Sequence, residues 1–189
     1  MKHSRRLWIA IGLLGVSPTL AAAQNQTSNW YLEARGGSTV PTFDIADVVD
    51  AGPSFGAGIG YRIAPRLWIM GDADFGFHSG ADLAGGTSGS DVDVYHFMAK
   101  VGYDVLRPGT SPWSVVLNLG AGAVNFRPDG LDSKTYPAIN AGAKIGYQVS
   151  PSFTLVLSPQ GDIAFTDEDE LGTTNAWVWP FTAGARINF

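Results

Sequence analysis

From about residue 29 to the last residue, apolar and polar positions alternate with a period of two, and the alternation recurs in separate stretches. In "AWVWPFTAGARINF" (176–189), Trp177, Trp179, Phe181, Ala183, Ala185, Ile187 and Phe189 share one face, while Val178, Thr182, Gly184, Arg186 and Asn188 share the other. That is the side-chain period of a β-strand. "SFGAGIGYRI" (54–63) and "YHFMAKVGYDV" (95–105) divide in the same way. The pattern predicts eight strands near 29–39, 54–63, 66–77, 92–105, 113–126, 136–149, 153–165 and 176–189. No long window repeats apolar residues at helical spacing, and each glycine inside an apolar stretch costs a helix up to about 1 kcal/mol relative to alanine. The fold class is all-β.

The connections alternate in length. "AP", "LRPGTSP" and "SPS" are tight and turn-forming, whereas 40–53, 78–91, 127–135 and 166–175 are longer, polar and rich in Gly or Asp. Short turns at one end and long loops at the other predict an eight-stranded antiparallel up-and-down transmembrane β-barrel, with turns in the periplasm and loops outside the cell. Its apolar face is graded by depth. Trp30, Tyr61, Tyr103, Trp113, Tyr147, Phe153 and Phe189 fall at the turn ends, and Phe55, Phe75, Phe77, Tyr95, Phe97, Phe165, Trp177, Trp179 and Phe181 at the loop ends. Aliphatic and small residues lie between, as in "LNLGAGA" (117–123). Two aromatic belts around an aliphatic band match a surface that meets lipid.

Charge collects on the opposite face. By parity it holds Glu33, Asp72, Asp74, Asp104 and Asp162 with Arg35, Arg62, Lys100, Lys144 and Arg186, together with His96. An eight-stranded barrel has an interior just wide enough for side chains to fill, so these groups are expected to pair in a plugged lumen. Inward glycines, among them Gly56, Gly58 and Gly60, leave room for the long cations. Three prolines sit inside proposed strands: Pro137 and Pro180 are expected above the membrane, and Pro159 is expected to mark a bulge.

Composition adds the route. Lys2, Arg5 and Arg6, then "LWIAIGLLGV" and "SPTLAAA", read as a secretory signal peptide over 1–23 cleaved after Ala23, leaving 24–189 as the barrel domain. Ten apolar residues are too few for a membrane-spanning helix, which needs roughly 20. Removing those three bases leaves 9 against 17 acids, a formal charge of −8 that gives no electrostatic case for nucleic acid. The chain has no cysteine, so disulfides and a lipid-modified N-terminal cysteine are both excluded.

The whole mature chain resembles the small eight-stranded outer-membrane barrels, OmpA-like and OmpX-like. The most specific element is "FTAGARINF", similar to the C-terminal signal read by the barrel assembly machinery. That resemblance implies recognition of Phe181, Ala183, Ala185, Ile187 and Phe189. A peptidoglycan-binding domain, part of the OmpA pattern, has no counterpart in this sequence.

Candidate chemistry is sparse. The mature chain has His78 and His96 as its only histidines. His78 precedes Ser79 with Asp82 nearby, a weak likeness to lipid A-modifying barrel enzymes, and is read as an ordinary loop histidine; His96 is read as a hydrogen-bonded lumen residue. "TDEDE" (166–170) with Asp44, Asp47 and Asp50 makes an acidic outer rim without the spacing of a calcium loop. "GGTSGSD" (85–91) has the composition of a flexible linker. No cofactor, metal or catalytic group is expected. The reading is a monomeric, non-enzymatic outer-membrane barrel with an envelope structural or surface-interaction role. Its partners are membrane lipid and lipopolysaccharide, and the assembly machinery during insertion; the sequence specifies no surface ligand. A narrow porin-like channel and a lipid A-modifying enzyme are the alternatives. Inward Trp68, Met98, Phe126 and Tyr136 argue against a continuous water path. A soluble lipocalin-like carrier, with its faces reversed, is disfavoured by the belts.

Overall fold

Eight long strands form the wall: β1 (Trp30–Thr42), β2 (Gly52–Ala64), β3 (Leu67–His78), β4 (Val92–Leu106), β5 (Trp113–Pro128), β6 (Lys134–Ser150), β7 (Phe153–Phe165) and β8 (Asn175–Asn188). The computed structural model describes residues 29–47, 49–83, 87–88, 90–108, 111–168 and 173–189. The expected leader, 1–23, lies outside them, as do Asp169 and Glu170 of the acidic run.

Each strand pairs antiparallel with its sequence neighbours, and β1 pairs with β8 to close the barrel. At the seam Glu33 faces Arg186 and Ala34 faces Ala185, and Trp30 and Phe189 exchange backbone hydrogen bonds of 3.1 and 3.0 Å. Closure leaves the eight-stranded wall without a free edge strand, the condition for crossing hydrocarbon with strands.

The two faces are inverted relative to a water-soluble sheet protein. Outward Leu119 is 68% exposed and Val101 56%, whereas inward Lys144 and His96 are each 1% exposed. Outward alanines 185, 34, 57 and 73 are successive cross-strand partners, forming part of a small-residue band at mid-height. Aromatic pairs flank that band. Trp30–Tyr61 at 4.5 Å and Trp113–Tyr147 at 5.0 Å lie toward the turns, and Phe55–Phe75 at 5.2 Å and Phe75–Tyr95 at 5.1 Å toward the loops. Ring pairs at these spacings add to the burial of either ring.

Pro159 differs from expectation. Val178 pairs with Asp162 and Phe181 with Pro159 in one continuous register, so no residue is inserted there. Proline removes a single donor from the ladder, and flanking bonds keep the count. The register shifts fall instead between Arg62 and Ala64, Asp104 and Leu106, and Gln148 and Ser150, where strands run into the short turns.

Two loops carry structure of their own. Phe43–Asp47 form one turn of 3-10 helix, entered through Phe43 at φ 60°, and Asp82–Leu83 pair with Thr87–Ser88 inside the 79–91 loop.

Candidate functional site

Side chains inside the barrel lie in storeys along its axis, because every second residue of each strand points inward. Nearest the turns, Tyr31, Trp68, Met70 and Val116 form an apolar cluster. It is tied down by charge: Trp68 Nε1 donates to Asp104 at 2.9 Å, Arg62 donates to the same carboxylate at 3.0 Å, and the Arg62 guanidinium lies 4.2 Å from the Trp68 ring centroid. Arg186 covers Tyr31 at 3.9 Å.

The next storey is ionic. Glu33 is met by Arg35, by Lys144 and by Arg186, the last at 3.1 Å through Nε and 2.9 Å through Nη2. Asp72 also meets three cations, Lys100 at 2.8 Å, Lys144 at 3.0 Å and Arg35 at 3.3 Å, while Asp74 takes Arg35 at 2.9 Å. Removing each ion from water costs several kcal/mol, which only close, multiple pairing offsets. Glycine makes that closeness sterically feasible. A Cβ at Gly56 would collide with Asp74 Oδ1, and one at Gly58 would fall 2.9 Å from Glu33 Cγ.

Above the ions, His96 Nδ1 lies 2.7 Å from Asp162 Oδ2, and Asn140 donates to the same carboxylate. Lys100 donates to Gln160 at 3.0 Å, and Gln160 donates in turn to the Ala143 carbonyl at 2.9 Å.

The outermost storey is apolar and includes a loop. Val94, Met98, Val124, Phe126, Tyr136, Ala138, Ala164 and Ala176 form its wall, and Ile45 and Val49 from the β1–β2 loop pack into it at 7% and 5% exposure. Polar bonds hold that loop across the mouth. Asp50 N donates to the Ser79 carbonyl at 3.0 Å, and Thr173 Oγ1 donates to Asp44 at 3.2 Å. His78 Nδ1 lies 2.8 Å from the Asp50 carbonyl, so that ring nitrogen is the donor.

All eleven charged or imidazole residues expected on the inner face point inward and have an ionic or hydrogen-bonded partner. Phe181, Ala183, Ile187 and Phe189 are exposed on the outer side of β8, with Ala185 half-buried. Read as a loop histidine, His78 is instead the last residue of β3 and 3% exposed, because parity turns it inward and the returning loop covers it. Among the described residues, no cluster of three or more potential metal ligands occurs. Sequence reasoning missed Ile45 and Val49. The available signal was an apolar pair four residues apart between exposed Asp44, Asp47 and Asp50.

A family model described as outer membrane protein beta-barrel domain matches residues 9–189. No curated protein matches the chain. Among solved structures, the chain is similar to Neisserial surface protein A, with TM-score 0.64 and 18% identity over 85% of this chain and 97% of that one. It is also similar to OprG of Pseudomonas aeruginosa, with TM-score 0.60 and 12% identity over 86% and 96%. Ail, the attachment invasion locus protein of Yersinia pestis, gives TM-score 0.52 and 15% identity over 85% and 99%. Identities this low establish a shared fold.

Proposed function

The chain belongs to the outer membrane protein β-barrel domain family, and from that membership we propose a non-enzymatic integral barrel, its lumen plugged by paired charges, that braces the envelope or offers its loops for surface contact. A leader over 1–23, removed after Ala23, brings it across the inner membrane. The assembly machinery then recognises Phe181, Ala183, Ala185, Ile187 and Phe189 on the last strand.

The observation that carries the plug is the convergence of Arg35, Lys144 and Arg186 on Glu33 from three separate strands. Side chains that span the lumen and neutralise one another leave no fixed charge to attract a permeating ion. Ile45 and Val49 support the same reading, since an apolar layer over the ionic one repels hydrated solutes. A surface role agrees with loops that are longer than the turns, the arrangement in which an outer-membrane barrel differs from its relatives by what it displays. Ail is named for attachment and invasion, and this barrel shares its fold.

Planar-bilayer recording tests the plug. Purified barrel is expected to give no single-channel steps at moderate voltage, and steady, uniform steps would replace the plug with the narrow channel.

A further inference from the structure

Beneath the β1–β2 loop the barrel wall has a polar side opposite the apolar one. Thr182 on β8, Thr39 on β1, Ser54 on β2 and His78 on β3 all point inward there and are buried. The hydroxyl oxygens of Thr39, Ser54 and Thr182 and the Nε2 atom of His78 have no hydrogen-bond partner among the described residues. Buried polar atoms are rarely left in that state. Ordered water commonly completes them, given room and two to four polar partners.

Glycine supplies the room. Thr182 pairs with Gly37, Gly37 with Ser54 and Ser54 with Gly76, and one row nearer the loop Thr39 pairs with Gly52. Each hydroxyl therefore has a residue without a side chain next to it. Gly76 matters most, because a Cβ there would lie 2.7 Å from His78 Nε2 and 3.1 Å from Thr39 Oγ1. Both atoms lean over the same glycine, from β3 and from β1, and Ser54 stands on β2 between them.

Hydrogen-bond roles narrow the occupant. His78 Nδ1 donates to the Asp50 carbonyl at 2.8 Å, which leaves Nε2 of the neutral ring an acceptor in want of a donor. A threonine hydroxyl can donate or accept. One row nearer the turns, Arg35 and Asp74 pair with each other. A small neutral molecule that both donates and accepts suits these atoms, and water is the smallest.

We propose that an ordered water lies between Thr39 Oγ1 and His78 Nε2, accepting from the hydroxyl and donating to the ring, and that it holds His78 in the orientation that latches the β1–β2 loop over the lumen. His78 is then the joint between loop and wall, with Nδ1 bonded to one and Nε2, through the water, to the other.

Crystal structures of wild type, Thr39→Val, Thr39→Ser and Gly76→Ala that show ordered water, read with the rate of chymotryptic cleavage after Phe43, test it. Wild type is expected to show water within about 3.2 Å of both atoms. Thr39→Val keeps the volume and removes the hydroxyl, and Gly76→Ala puts a methyl group where the two atoms converge. Each is expected to lose the water and to speed cleavage about fivefold, whereas Thr39→Ser is expected to keep both the water and the wild-type rate. Heat-modifiable gel mobility reports folding of every variant, and the Thr39 pair carries the test should alanine at 76 prevent folding. The proposal is overturned by a direct Thr39–His78 hydrogen bond in wild type, by no water in reach of both atoms, by a wild-type cleavage rate in folded Thr39→Val, or by Thr39→Ser behaving as Thr39→Val.

Discussion

Removing the Glu33 carboxylate takes away the anion on which Arg35, Lys144 and Arg186 converge. Asp72 still faces Arg35 and Lys144, but Arg186 has no second carboxylate partner among the described residues and Tyr31 offers it only a ring face. Breaking a buried pair by removing one partner costs about 3–5 kcal/mol, because the stranded charge stays desolvated. Glu33→Gln is therefore expected to lower the unfolding free energy of the barrel in urea by that much, seen as a lower midpoint at unchanged m. Arg107→Gln, which removes an arginine whose side chain is 39% exposed, is expected to change stability by less than about 1 kcal/mol. Equal midpoints for the two variants would show that the inner charges contribute no more than surface ones. At this scale the sequence was half legible. Parity put Glu33 and Lys144 on the same face, yet they are 111 residues apart in the chain, and nothing local states that they touch. Partner choice depends on shear and register, which are properties of the closed sheet.

The β1–β2 loop behaves as an element in its own right. Ile45 and Val49 fasten it from below and His78 from the side, while its aspartates stay in water. Truncating a buried Ile to Ala costs about 2–5 kcal/mol, and the cost here falls on loop docking, since the ladders do not depend on those side chains. Ile45→Ala/Val49→Ala is expected to speed chymotryptic cleavage after Phe43 at least tenfold, with barrel mobility on gels unchanged. An unchanged cleavage rate would mean that the apolar pair does not hold the loop. The strands themselves were readable because a two-residue period survives glycine, proline and polar interruptions. "SFGAGIGYRI" became part of β2 and "YHFMAKVGYDV" part of β4. The docked loop was not readable, because two apolar residues establish no period. Pro159 shows the converse: a rule about free edges predicted a bulge, and cooperative pairing on both sides kept the ladder regular.

For the molecule as a whole, a lipid-facing aromatic belt at each end, a small-residue waist and an ionic axis all follow from one inversion of inside and outside. The belts were legible residue by residue, since aromatic residues fell at strand ends and aliphatics between them. The storeys of the lumen were not, because tilt brings residues of different sequence height to one level along the axis. The inversion can be read directly, since the chain has no native cysteine to interfere with labelling. Single cysteines placed in turn at Val116, Leu117, Asn118 and Leu119 would carry a fluorophore in bilayers containing brominated lipid. Strong quenching is expected at 117 and 119, which face outward, and weak quenching at 116 and 118, which face the axis. Quenching that is uniform along the four positions, or strong at 116 and 118 instead, would contradict the account.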